Sequence, residues 1–263
     1  HWMRLWLTLV ALGLPTVAAA QRELHWDALQ VTAHLNSRGT LQVAETHRMV
    51  FSGDWNGGER TFNIWPRQRL ILTGIFRDNA GRWQPLREDA SLNHVDDYAW
   101  TDSRTLRWRS RLRSDPPFNN TPLGYELRYD LSGILLRDGD PYLLDHDFAF
   151  AGRPRLIGRF QLRLTFDSAW QPLDQIRYVY TQNDLRTGQS FPLRIPLHFT
   201  DTGEPAALDS SRPREIQLAV LALIAATFLI VIAFYLREER LGRFDPLEPA
   251  DHITESWLAQ HIL

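Results

Sequence analysis

The sequence contains no cysteine and no lysine. Without cysteine there is no disulfide framework, no thiolate nucleophile and no zinc site with cysteine ligands. All 29 basic residues are arginine, which we interpret as a compositional bias of the source genome. The formal net charge is only −2, so the chain lacks the basic excess that nucleic-acid binding needs. We therefore expect no nucleic-acid partner.

Long apolar runs are also scarce, and the first lies near the start of the chain. Met3–Arg4 opens a basic segment, Leu5–Leu14 is apolar, and Ala18–Ala20 supplies the small residues that a signal peptidase requires. This pattern predicts a signal peptide over residues 1–20, with Gln21 as the mature N-terminus. An uncleaved anchor is the alternative, but the apolar run has about 10 residues where spanning needs about 20.

The second apolar run, Ile216–Leu236, contains 21 residues without a charge. As a helix it is about 31 Å long, which matches the hydrocarbon thickness of a bilayer. We predict one transmembrane helix here, with a fully buried core helix as the alternative. The signal peptide and the arginines that flank the span place residues 21–210 outside and the tail, 237–263, in the cytoplasm.

Between the two apolar runs the dominant hydrophobic period is two, which is typical of strands with one buried face. We expect about nine or ten short strands, forming an all-β, enlarged immunoglobulin-like β-sandwich over residues 21–210. The clearest alternating stretches are Leu29–Leu35, Thr40–Phe51, Leu106–Leu112, Tyr125–Leu131, Phe160–Phe166 and Phe191–Phe199.

Turn residues separate several of these stretches. Asn36–Gly39 predicts a hairpin turn with Gly39 at positive φ, and Asp78–Gly81 and Asp138–Gly139 predict two further turns. Residues 87–121 are rich in polar residues and proline outside one clear strand, so we expect a long insertion there.

Proline marks the stretch Phe191–Phe199. Pro192 and Pro196 cannot donate ladder hydrogen bonds, which predicts a strand at a sheet edge.

Several segments together resemble the YciQ-like predicted bacterial membrane proteins, whose outer domain is known as domain of unknown function 2207. The segments that carry the resemblance are Val31–Thr46, with its Leu-x-Val-x-Glu strand, Phe51–Gly53, Gly57–Arg60, with its Gly-x-x-Arg pattern, Tyr125–Gly133, Leu144–His146 and Phe244–Pro249. The segment Thr61–Pro66 departs from the family pattern. Members of the family usually continue past the first span, so the chain resembles the front half of such a protein. The resemblance implies an architecture but no established activity.

Catalytic and metal-binding motifs are not recognisable in the sequence. Asp145–His146–Asp147 is the densest group of possible ligands, and His94, Asp96 and Asp97 form the next. Neighbouring residues on a strand point to opposite faces, so His146 is not expected to share a site with Asp145 and Asp147. We expect no catalytic residues, no metal and no cofactor.

An arginine row, Arg107, Arg109 and Arg111, alternates with apolar residues. We expect it to be the solvent face of a strand paired with acidic neighbours such as Glu126 and Asp130. Binding of an anionic lipid or envelope polymer is the alternative.

The expected function follows from the architecture. The chain is interpreted as a membrane-anchored, non-enzymatic interaction or structural module of the bacterial envelope. Its partners would be the lipid bilayer and another envelope protein or an anionic envelope polymer. The alternative is an envelope hydrolase with carboxylates from the loop Asp89–Asp97.

In the tail, an apolar helical stripe indicates a missing continuation or a missing partner; it comprises Ile253, Trp257, Leu258 and Ile262.

Overall fold

The computed structural model describes residues 22–137, 139–209 and 211–242. These residues divide into a β unit that ends at Asp209 and a helical unit that follows it. The predicted signal peptide, residues 1–20, and the predicted tail after Gly242, with its apolar stripe, lie outside the described residues. The prediction of an all-β domain followed by one helix is confirmed for the described part of the chain.

Sixteen strands and one helix occur within the described residues, more than the nine or ten strands expected. The difference comes from strands of two to five residues, which are too short for an alternating pattern to be visible. The elements are β1 Glu23–Leu35, β2 Leu41–Gly53, β3 Gly57–Thr61, β4 Arg69–Asn79, β5 Arg82–Pro85, β6 Arg87–Glu88, β7 Asp97–Trp100, β8 Thr105–Arg109, β9 Phe118–Ser132, β10 Leu135–Arg137, β11 Tyr142–Asp147, β12 Ile157–Phe166, β13 Trp170–Pro172, β14 Val179–Leu185, β15 Pro192–Phe199, β16 Ala207–Asp209 and α1 Ser211–Arg240.

The strands form three sheets. A seven-stranded sheet has the order β14-β12-β1-β2-β9-β4-β5, a five-stranded sheet the order β13-β15-β11-β10-β16, and a four-stranded sheet the order β3-β8-β7-β6. Neighbours are antiparallel except for β1 with β12, β10 with β16 and β6 with β7. The pairing is therefore more mixed than in a purely antiparallel immunoglobulin sandwich.

One apolar core joins the three sheets. The long strands β1, β2 and β9 bury alternate side chains, so that Leu29, Val31 and Leu35 of β1 face inward. Leu144 of the five-stranded sheet and Trp108 of the four-stranded sheet belong to the same cluster. Burial on one face of each strand is what the period-two pattern predicts, and it is confirmed on these strands.

The predicted turns connect consecutive strands. Gly39, at φ 80°, closes the β1–β2 hairpin by donating its amide to the Asn36 carbonyl at 3.0 Å. Gly81, at φ 86°, closes the β4–β5 hairpin, and its amide donates to Asp78 at 2.7 Å. Gly139, at φ 81°, lies between β10 and β11, whereas Asp138 lies outside the described residues. Glycine is suited to these positions because it adopts positive φ without steric cost.

Two local predictions need correction. The expected insertion over residues 87–121 instead supplies β6, β7 and β8, which are three of the four strands of the four-stranded sheet. The strand β15, expected at an edge, lies between β11 and β13. The short β13 pairs only with Leu197–Phe199, so Pro192 has a strand neighbour, β11, on one side alone. On its other side no strand among the described residues needs a hydrogen bond from the position of Pro192.

The helix α1 is apolar and exposed within its own unit. Residues Ile216–Arg240 form a helix long and apolar enough to cross a membrane. Its large side chains are exposed all round, as Leu223 at 68% and Ile230 at 69% illustrate. A helix that is apolar on every face is typical of a membrane span or of the core of a large protein.

Candidate functional site

Four polar side chains meet inside the β unit and form a buried charge cluster, which we define as Glu45, His47, Arg60 and Tyr129. Glu45 and His47 occupy inward-facing positions of β2, where the neighbouring positions in phase are apolar. Tyr129 comes from the adjacent strand β9, and Arg60 from β3 of the four-stranded sheet. The cluster therefore links two sheets through the core.

The Glu45 carboxylate accepts four hydrogen bonds. Arg60 donates twice, from Nη2 to Oε1 at 2.8 Å and from Nε to Oε2 at 3.0 Å. The Tyr129 hydroxyl donates to Oε1 at 2.7 Å, and Nε2 of His47 contacts Oε2 at 3.0 Å. A carboxylate offers about four lone-pair sites, so this one is saturated.

The orientation of His47 follows from its second partner, Trp26. The indole N–H of Trp26 contacts Nδ1 of His47 at 3.1 Å, and an indole nitrogen can only donate. Nδ1 must therefore accept, which leaves the ring hydrogen on Nε2, where it is donated to Glu45. The contact with Trp26 thus selects one tautomer of His47.

Aromatic rings enclose the guanidinium of Arg60. Its central carbon lies 4.5 Å from the Phe62 ring centroid and 4.1 Å from that of Phe150, distances typical of cation–π contacts. Burial alone would lower the pKa of Arg60, but the charge of Glu45 raises it above the ordinary value. Burial would raise the pKa of Glu45, yet Arg60 and the hydrogen bonds hold it far below its usual range. Both groups stay charged.

The buried charge cluster is closed to solvent. Glu45 is 2% exposed and His47 1%, and burial together with the charge of Glu45 raises the pKa of Tyr129 well above 10. A general base must reach a substrate proton, and a nucleophile must have a free lone pair. Neither condition holds here. The arrangement acts as a tether between sheets rather than as a reaction centre.

Sequence reasoning did not identify this cluster, although a signal was present. In β2 the inward series Leu41, Val43, Glu45, His47 and Met49 places two polar residues in phase with apolar ones. A buried charge is costly unless it is paired, so each such position predicts a partner from elsewhere in the fold. The partner's identity, Arg60, required the structure.

A second group of polar residues lies on the four-stranded sheet. Ligand atoms of Asp89, His94 and Asp97 all lie within 4.8 Å of one another, a spacing compatible with a metal ion. Arg87 occupies this group: it donates to Asp97 Oδ1 at 2.8 and 3.0 Å and to Asp89 at 3.3 Å, and contacts His94 at 2.9 Å. A guanidinium thus already supplies the positive charge. Asp96, grouped with these residues on the sequence, instead accepts from Arg77 at 3.0 Å.

The pKa directions in this group do not match a general acid. Hydrogen bonds from Ser91 lower the pKa of Asp89. Burial would raise the pKa of Asp97, but the amide of His94 and the guanidinium of Arg87 lower it. A glycosidase acid needs a raised pKa, so these two carboxylates do not fit that role.

The triplet on β11 is divided between two faces, as strand geometry predicts. Asp145 pairs with Arg194 at 3.2 Å, and Asp147 Oδ1 accepts the amides of Phe191 at 2.7 Å and Ala149 at 3.1 Å. The His146 ring packs edge-on against an aromatic ring, Phe148, with centroids 4.8 Å apart. Burial and the charge of Arg60 lower the pKa of His146 to about 4.

The arginine row follows its prediction only in part, with Arg107 on the solvent face and Arg109 half-buried. Arg107 is exposed and pairs with Glu59 on β3 rather than with Glu126 or Asp130. Arg111 is buried and donates to the carbonyl of Trp55 and to Asp54. The reason is that β8 ends at Arg109, so strand alternation no longer positions residue 111.

An open pocket of about 340 Å³ lies where the seven-stranded and four-stranded sheets meet. We call it the acidic aromatic pocket. Tyr98 and Trp100 of β7 face Leu70 and Leu72 of β4 across it. The remaining lining residues are Ile64, Glu88, Asp102 and Ser103. Sequence reasoning did not identify this pocket, because its residues come from separate strands and turns.

No protein-family model and no curated protein matches the chain. Among solved structures, an M1 zinc metallopeptidase from Deinococcus radiodurans is 9% identical, with a TM-score of 0.39 over 68% of this chain and 43% of that one. A putative protease from Parabacteroides distasonis is 8% identical, with a TM-score of 0.35 over 67% and 40% of the two chains. The chain therefore spans less than half the length of either protein. Similarity this small supports no conclusion about fold or activity.

Proposed function

We propose that the chain is a membrane-anchored β domain that serves as an interaction or structural module of the bacterial envelope, with the β unit outside and the tail in the cytoplasm. The observation that carries the proposal is the helix Ile216–Arg240, whose portion Ile216–Leu236 is uncharged on all sides and which follows the β unit in the chain. Its uncharged portion is long enough for a hydrocarbon layer of about 30 Å.

The chemistry of the β unit supports a binding or structural role over a catalytic one. The buried charge cluster has no free lone pair on Glu45 and no path to solvent. The carboxylates of Asp89 and Asp97 are bound by Arg87 and have lowered pKa values. Neither group has the free base and poised acid that hydrolysis requires.

Membrane insertion can be tested by charge substitution in α1. One arginine at the centre of a span costs about 3 kcal/mol on insertion scales, and each apolar residue returns a few tenths. We expect the pair Ala225→Arg and Ile230→Arg to release the chain from membranes, whereas Ala225→Leu with Ile230→Val should not. The measurement is fractionation after carbonate washing.

Orientation is tested by protease protection on intact cells or spheroplasts. The wild-type β unit should be digested from outside while a tag after the tail stays protected. A double arginine variant that still pellets with membranes contradicts the anchor, and a tail cleaved from outside contradicts the orientation.

A further inference from the structure

The acidic aromatic pocket combines two unpaired acids with an apolar lining. Glu88 is exposed, and its side-chain contact is the Tyr98 hydroxyl, which donates across 3.5 Å. In the described part of the chain neither Glu88 nor Asp102 forms an ion pair. The lining contains no arginine, and the chain has no lysine. The lining therefore carries two carboxylates and no cation of its own, and the compensating charge that acts on Asp102 is that of Arg104 in the adjoining turn.

Asp102 is held in position by the turn between β7 and β8. Its Oδ1 accepts the amides of Arg104 at 2.7 Å and Thr105 at 2.8 Å. These hydrogen bonds lower the pKa of Asp102, so its carboxylate is ionised at neutral pH. Both amides use the same oxygen, and the side chain of Thr105 also hydrogen-bonds to this carboxylate.

The apolar lining of the pocket is anchored to the core on both sides. Leu70, Leu72, Tyr98 and Trp100 all pack against buried residues, and the Trp100 ring lies 5.8 Å from the Phe62 ring. These side chains are thus held by packing before any ligand arrives, which reduces the entropy lost on binding. Aromatic and aliphatic surfaces cover the alkyl stem of a long cationic side chain, while carboxylates bind its head.

We propose that this pocket binds an arginine or lysine side chain presented by a partner polypeptide. Charge complementarity selects a cation, because an anionic envelope polymer would meet two carboxylates and no positive group among the lining residues. The inference specifies the partner chemistry for the interaction role proposed above and rests on it. It does not depend on anchoring or orientation, so the fractionation experiment and the binding experiment fail independently.

The experiment uses the full chain in neutral-detergent micelles and the probe peptide acetyl-Gly-Arg-Gly-amide. Saturation-transfer-difference NMR, with empty micelles subtracted, gives the Kd. Exposed ion pairs are individually weak, so Glu88→Gln and Asp102→Asn should each raise the Kd about threefold to fivefold, and added salt should do likewise. Both substitutions keep the side-chain volume, and the amide oxygen of an asparagine at position 102 can still cap the turn.

Matched controls separate the pocket from the rest of the surface. Glu23→Gln changes an exposed strand glutamate, and Asp201→Asn changes an exposed turn aspartate that accepts a backbone amide at 2.7 Å. Neither should change the Kd. Three results would each overturn the proposal. The first is a Kd for the corresponding glutamine and glutamate peptides as low as that of the arginine peptide. The others are a Kd that neither pocket variant changes, and tighter binding of a neutral saccharide such as cellobiose.

Discussion

The ion pair between Glu45 and Arg60 should dominate the stability of the β unit among its charged contacts. Replacing Arg60 by Met removes two of the four donors to a carboxylate that is 2% exposed. Removing one partner of a buried pair costs about 3–5 kcal/mol, because the other charge stays buried. A domain of ordinary stability has about 5–15 kcal/mol in total, so this loss is a large fraction of it.

The complementary variant, Glu45→Gln, leaves the Arg60 guanidinium charged between two phenyl rings. We expect a similar loss, again about 3–5 kcal/mol. The double variant removes both charges and should cost much less than the sum of the single losses. The difference measures the coupling within the pair.

The assay is urea unfolding of the full chain in neutral-detergent micelles, followed by tryptophan fluorescence. Arg107→Met is the matched control, because it breaks an exposed pair with Glu59 and should cost under about 1 kcal/mol. Its side chain is 53% exposed, against 7% for Arg60.

The pH dependence provides a second readout. The folded pKa of Glu45 lies below its ordinary value of 4.5, so its contribution is complete above pH 4.5 and declines as pH falls below it. The difference in the free energy of unfolding between wild type and Arg60→Met should therefore become smaller as pH falls below 4.5. If Arg60→Met costs no more than Arg107→Met, or if the single losses simply add, the tether role assigned to the cluster is wrong.

Two further predictions concern His146 and Gly58. Burial and the charge of Arg60 lower the pKa of His146 from its ordinary 6.5 to about 4, so the free energy of unfolding should fall by up to about 3 kcal/mol as pH drops from 6.5 to 4. His146→Gln should flatten this part of the stability–pH curve. An unchanged slope would contradict the lowered pKa of His146. Gly58→Ala would place a Cβ 2.2 Å from the buried Trp108 ring and should lower the free energy of unfolding by about 1–3 kcal/mol. In the control Gly152→Ala the new Cβ meets nothing within 4 Å, so this variant should be near neutral. Equal melting temperatures for the two variants would show that the Trp108 ring moves freely.

Local patterns were sufficient for much of the fold. Alternation in β1, β2, β9 and β12 predicted both the strands and their buried faces, because side chains on a strand alternate strictly between faces. Asn36–Gly39 and Asp78–Gly81 predicted their hairpins because turn chemistry is short-range. The apolar helix was evident from length and charge alone, since bilayer thickness is a fixed dimension.

Long-range pairing was beyond the sequence pattern. The parallel contact of β1 with β12 joins residues more than 120 positions apart, and the short strands β6 and β7 gain their conformation from neighbours. Strand β15 acquired a partner on each side for the same reason.

The sites show the same division. The sequence by itself determined that Glu45 and His47 are in phase with apolar residues, and that Arg60 lies two residues after the glycine pair Gly57–Gly58. Only the tertiary structure decided that these residues meet, because the contact joins strands of different sheets. The acidic aromatic pocket likewise exists only where β4 and β7 approach each other. Periodicity assigns a side chain to a face, whereas its partner depends on how sheets pack, and that is set by the whole core at once.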